Sequence, residues 1–174
     1  MAIEEPAHTV IEREEPFEVR DYQGYVVAET FVEGSFSAVG NEGFQRLFRY
    51  ISGDNRAAAK IAMTAPVEQQ RAGARWRIAF VLPSTYTLAT APRPTDDRVV
   101  LAEAPPRRMA VVRYRGTWTE ARYGEELAML RNFIGERGLT AVGEPVFARY
   151  DPPFMPWFLR RNEIQIPVQA PAAR

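Results

Sequence analysis

From Val10 the chain alternates apolar with polar positions: Val10, Phe17 and Val19 stand among charged residues up to Tyr22. After Gln23-Gly24 comes the run Tyr25-Val26-Val27-Ala28-Glu29-Thr30-Phe31-Val32, rich in β-forming side chains. This pattern predicts two antiparallel strands. Past Gly34 the period becomes helical. Ser35 or Ser37 is placed to cap a helix, and Phe44, Leu47, Phe48 and Ile51 fall on one stripe at about 100° per residue, with Asn41 at its edge and Arg49 beyond it. Ser52-Gly53 closes that helix. Lys60-Ile61-Ala62-Met63-Thr64-Ala65-Pro66-Val67 then puts Ile61, Met63, Ala65 and Val67 on one face of a strand, where Met63 is expected to pack inside a strand pair. Trp76–Leu82 is its expected partner.

The second half repeats this outline beyond a Pro-rich loop holding Pro92 and Pro94. A strand over 108–115 leads to Gly116, which holds the place of Gly34. A helix follows to about Arg137, with Thr117 and Glu120 as a capping box, Tyr123, Leu127, Leu130 and Ile134 as its stripe, and Gly138 as its stop. Closing strands fall at 147–150 and 163–168, divided by Asp151-Pro-Pro-Phe-Met-Pro-Trp157. Two β-α-β-β units result, the first over about residues 10–90 and the second over about 98–168. Neither alone buries its sheet face, so a single α+β domain over 1–174 is expected.

Composition narrows the function classes. The chain has 22 acidic and 22 basic residues, so no net field draws the whole molecule to nucleic acid or to an acidic membrane, and neither is expected as a partner. Zero cysteines exclude disulfides, thiolate metal sites and cysteine nucleophiles. His8 is the only histidine and Lys60 the only lysine. The N-terminal residues lack the basic and apolar regions of a signal peptide. The longest uncharged stretch, Ile78–Pro92, is shorter than the ~20 apolar residues a spanning helix needs and is broken by Pro83. A soluble, cytoplasmic monomer is the expectation.

The run Lys60-Ile-Ala-Met-Thr-Ala-Pro-Val67 resembles the signature strand of the SOUL haem-binding family. Tyr150-Asp-Pro-Pro, followed by Arg160-Arg161-Asn162-Glu163-Ile164, resembles that family's C-terminal pattern, and Phe17-Glu18-Val19-Arg20 its first strand. The likeness covers about residues 10–168. It implies a distorted antiparallel β-barrel of two β-α-β-β repeats with two flanking helices, and a protein that binds haem or another tetrapyrrole. The wider superfamily, with gyrase-inhibitor-like and effector-binding members, holds small organic ligands. Carried over residue by residue, the resemblance places apolar macrocycle contacts at Phe44 and Phe48 and a basic propionate contact at Arg49. Asn41 and Met155 stand where the family has an Arg and a Lys, so propionate clamping there is weaker. Where the vertebrate branch has an axial histidine this chain has Asp21. His8 is read as part of a mobile N-terminal arm. Met63, Met155 and the tyrosines carry iron-ligating atoms, but the expectation is binding through macrocycle faces and propionates, with no fixed axial residue and no other cofactor or metal site.

An enzyme is not expected, because nucleophile-elbow, dinucleotide, phosphate-loop and zincin motifs are all missing and the lone histidine is terminal. One alternative remains from the resemblance. Glu163 matches a glutamate that in superfamily relatives faces a central cleft, some of them hydrolases, and a desolvated carboxyl there would have the raised pKa of a general acid, with Trp76, Tyr86, Trp118 and Trp157 as walls. Against this stands a structural ion pair of Glu163 with Arg160 or Arg161, the reading ranked higher.

Overall fold

The computed structural model describes residues 3–152 and 154–169. In chain order these form β1 (His8–Glu14), β2 (Phe17–Tyr22), β3 (Tyr25–Val32), α1 (Phe36–Ile51), β4 (Val67–Ala72), β5 (Arg75–Val81) and β6 (Val100–Ala104). Then follow β7 (Arg107–Arg115), α2 (Glu120–Glu136), β8 (Thr140–Ala141), β9 (Val146–Arg149), a 3-10 turn (Trp157–Leu159) and β10 (Arg161–Gln169). The residues gather into two units. The first takes the chain up to Pro6 together with Gly24–Pro105; the second takes Ala7–Gln23 and the chain from Pro106 onward. Each is an antiparallel sheet with one helix, giving the expected α+β class, and the repeated order appears as β3-α1-β4-β5 and β7-α2-β9-β10.

In the first unit β5 pairs with β4 and β3, and β3 with β6. Ser35 caps α1, its hydroxyl accepting the Ala38 N–H at 3.3 Å. Val39, Leu47, Tyr50 and Ile51 turn inward onto Val26, Ala28, Ile78 and Phe80. Gly43 lets the helix lie directly on β5, since a Cβ there would collide with Ile78. The glycines noted before each helix do hold equivalent backbone, Gly34 at φ 141° and Gly116 at φ 135°, a region that side chains beyond glycine rarely enter.

In the second unit β2 pairs with β1 and β7, β7 also with β10, and β10 with β9 and the short β8. Phe17 stacks on Phe133 of α2 at 4.7 Å, over a core that includes Val19, Met109, Leu130, Ile134, Ile164 and Ile166. The helix is capped by Thr119, which accepts the Arg122 N–H at 3.2 Å, rather than by Thr117. Tyr123, Leu130 and Ile134 are buried as their spacing predicted, joined by Phe133, with Leu127 half-buried.

Two expectations are corrected. The segment 10–22 does not pair with β3. It forms β1 and β2 within the second unit, where Phe17 and Val19 find the α2 core and where Glu18 and Arg20 find partners on β7 and β10. The run 60–66 is extended but not a sheet strand. Pro66 has no N–H to give a ladder, the Ile61 N–H bonds the Ile51 carbonyl at 2.8 Å, the Ala65 N–H bonds the Glu4 carbonyl at 3.0 Å, and the Thr64 hydroxyl bonds the Val81 carbonyl. Period two therefore fails: Ile61 and Ala65 are buried but Met63 is exposed.

Candidate functional site

The last turn of α1 and the segment after it border an open depression of about 420 Å³ on the first unit, lined by Phe48, Ile51, Ser52, Lys60, Ile61 and Met63. The bond from the Ile61 N–H to the Ile51 carbonyl ties the two segments together, and these two buried side chains make the floor. Phe48 and Met63 form the walls and remain 47% and 38% exposed. The connecting loop is pinned by buried Asn55, whose amide donates to the Tyr50 and Ala59 carbonyls at 3.0 and 2.8 Å and accepts the Ala59 N–H at 3.1 Å. That clamp presents Lys60 at the rim. An apolar floor with an aromatic ring and a thioether as walls suits a flat apolar molecule, and an ammonium at the edge suits a carboxylate on it. The volume lies in the range of small-molecule sites.

Of the residues expected from sequence, Asn41, Phe44, Phe48 and Arg49 all stand on α1. Phe48 lines the depression. Phe44 stands behind it, stacked on Phe48 at 5.8 Å with the rings 13° apart, and meets Phe80 of the core edge-on at 5.2 Å. Arg49 is exposed in the last turn and Asn41 is exposed one turn before Phe44. Met155 belongs to the second unit, where its N–H bonds the Pro152 carbonyl at 3.0 Å and its carbonyl accepts Arg160 Nε at 3.0 Å.

Glu163, in the second unit, is fully buried at the centre of a charged network. Arg20 grips it with both Nη atoms at 2.7 and 2.9 Å and sends Nε to Glu18 at 2.6 Å. Tyr150 donates its hydroxyl to the Glu163 carboxylate at 2.9 Å, Gln165 its amide at 2.9 Å, and Arg161 an Nη at 3.0 Å. Burial alone would raise the Glu163 carboxyl, but the bonds and charge of Arg20, helped by Arg161 and Gln165, prevail and hold it down at about 2. The raised pKa required of a general acid is thus reversed. The ion-pair reading was right about Arg161, but the main partner is Arg20, while Arg160 lies over Trp118 at 4.3 Å. In the first unit Arg77 likewise joins Glu29 at 2.5 Å and Glu68 at 3.1 Å. Of the expected aromatic walls, Trp118 donates to Asn162 at 2.6 Å, and Trp76 and Tyr86 pack on the first unit's core.

A family model described as SOUL heme-binding protein matches residues 3–167, nearly the whole described chain. The chain belongs to the SOUL heme-binding protein family. Heme-binding protein 1 of Xenopus tropicalis is 30% identical over 156 residues, covering 85% of this chain and 81% of that protein. Among solved structures, the C-terminal domain of EcmrR matches with a TM-score of 0.71 at 11% identity, over 88% of this chain and 97% of that one. A hydrolase from Listeria innocua matches with a TM-score of 0.61 at 10% identity, over 91% and 94%. These two share its fold.

Within this SOUL chain the signature run supplies Lys60, Ile61 and Met63 to the depression. Reading the run as a paired strand hid all three. The available signal was the lone lysine beside an unpaired apolar run ending in proline. His8 is no mobile arm: it opens β1 opposite Tyr22, their rings 4.8 Å apart. Asp21 is engaged by Arg108 through both carboxylate oxygens, at 2.7 and 3.0 Å. Among the described residues no helix is long and apolar enough to cross a membrane.

Proposed function

We propose that the chain is a binding protein, not an enzyme, that holds haem or a related tetrapyrrole against the Phe48–Met63 depression. The observation that carries this is the pairing of two exposed apolar walls with the chain's single lysine in a member of this family. Haem, when bound, would supply the redox and ligand-binding chemistry of an iron porphyrin. Phe48, Ile51, Ile61 and Met63 would hold the macrocycle, and Lys60 with Arg49 would receive its carboxylates. No histidine stands among the described lining residues, so the reading uses no histidine ligand and extends to metal-free porphyrins. Heme-binding protein 1, the relative, carries the same ligand in its name, which supports the reading. The alternative centred on Glu163 has less support, because that carboxylate is fully buried and both its oxygens are already bonded by the chain's own groups.

Lys60→Ala tests the polar half of the site. Haemin affinity should fall about tenfold, as for a charge-assisted bond of about 1.5 kcal/mol, with no change in the melting temperature of the exposed-site variant. Protoporphyrin dimethyl ester, which lacks the carboxylates, should bind wild type and variant alike. Equal haemin affinity for both proteins would remove Lys60 from the site.

A further inference from the structure

The second unit carries an apolar feature that the depression does not use. Phe154 is 87% exposed, Trp157 58%, Phe158 56% and Leu159 45%, all within one short stretch of chain. Single exposed apolar residues are ordinary; a cluster this dense is not, and marks a surface that is covered in use. On the 3-10 turn the Trp157 and Phe158 rings meet edge to face, their centroids 5.7 Å apart and their planes at 86°, so they form one apolar patch.

Part of the backbone of this turn is bonded within the chain. The Leu159 N–H bonds the Pro156 carbonyl at 2.9 Å and the Arg160 N–H the Trp157 carbonyl at 3.3 Å, while Arg115 Nη1 donates to the Leu159 carbonyl at 2.9 Å. At the root of the turn stand Arg115 and Arg160, and the stretch 154–160 holds no acidic residue. A low-dielectric phase penalises open peptide groups, so these bonds lower the cost of seating the turn at an interface.

We propose that this turn docks on the surface of an anionic phospholipid bilayer, seating Phe154, Trp157, Phe158 and Leu159 at the interface with Arg115 and Arg160 at the headgroup phosphates. The exposed aromatic patch stands beside Arg115 and Arg160 with no acidic residue in the stretch 154–160, a pairing of apolar and cationic groups that complements an anionic interface. Tryptophan prefers this interface, where its ring is apolar and its N–H wet, and arginine at the collar complements the phosphates. The balanced net charge draws the whole molecule to no membrane; this is a local exception. A single turn anchors weakly and reversibly.

Co-sedimentation of the full chain with phosphatidylcholine vesicles, with and without about one third phosphatidylglycerol, tests it. Binding should appear with the anionic vesicles and weaken with added salt. It should drop at least roughly tenfold in Trp157→Ser/Phe158→Ser, with thermal melting unchanged because both side chains are exposed. Arg115→Gln should reduce binding to the anionic vesicles only. Sedimentation with neither vesicle, or undiminished binding by the double variant, would overturn the proposal. So would a chain dimer, seen by light scattering and lost in the double variant, in the absence of vesicle binding; that result would make a second copy the occupant.

Discussion

Arg20→Ala should destabilise the chain by about 3–5 kcal/mol, a large share of the 5–15 kcal/mol that holds a typical domain. The guanidinium is 2% exposed and bonds two carboxylates that are themselves buried, Glu18 and Glu163. Removing it takes the one buried cation from both carboxylates and leaves them to the more exposed Arg13, Arg113 and Arg161. Glu163→Gln in the same variant removes one of the two carboxylates and should recover part of the loss, which urea unfolding of the three proteins would measure. A loss below about 1 kcal/mol for Arg20→Ala would mean that the pair behaves like a solvated one. The pH dependence follows from the direction of the shift. The Glu163 carboxyl sits near 2 in the fold against an ordinary 4.5, so its contribution is complete above about 4.5 and is lost as pH falls from there toward 2. Without Arg20 the buried carboxyl takes up its proton at higher pH, so the gap between variant and wild type should narrow as the solution is acidified through the same window.

Phe48→Ser should lower haemin affinity roughly tenfold to a hundredfold while barely moving the melting temperature of the ligand-free chain. Covering a large apolar side chain is worth about 1.5–3 kcal/mol, and Phe48 still exposes nearly half of its surface for a ligand to cover. Phe44→Ala provides the contrast. That ring meets Phe80 in the core, so its truncation should lower stability by about 2–4 kcal/mol and reach the ligand only through the loosened Phe48. Thermal melts beside haemin titrations of both variants separate the two roles. Equal losses of affinity with no loss of stability would make Phe44 a wall as well.

Local signals were the most readable part of this sequence. Ser35 caps α1 as its position suggested, and the Gly34 and Gly116 equivalence appears in their matching φ angles, because capping and left-handed backbone are decided within a few residues. Pairing was less readable. β2 bonds β7 across about half of the chain's length, and alternation says which face a residue takes but not which strand lies beside it. Glu18 and Arg20 look like a solvent face in sequence. They are buried because partners far away in the chain meet them: Glu163 engages Arg20, and Arg113 and Arg161 balance the two carboxylates. The site was half legible. Phe48, carried over from the family resemblance, lines the depression, and Arg49, carried over with it, is exposed in the same turn but is not a lining residue; Lys60 and Met63 were concealed by a period-two reading that Pro66 and the non-ladder bonds of Ile61 and Ala65 cancel.

The central claim is that this chain binds a tetrapyrrole at the Phe48–Lys60 depression without a histidine ligand. Absorbance titration of the apo-protein with haemin, run in parallel with metal-free protoporphyrin, tests it most directly. Saturable binding of both is predicted, weakened in Phe48→Ser, with a haemin spectrum that His8→Ala leaves unchanged. Failure of both porphyrins to saturate would contradict the claim.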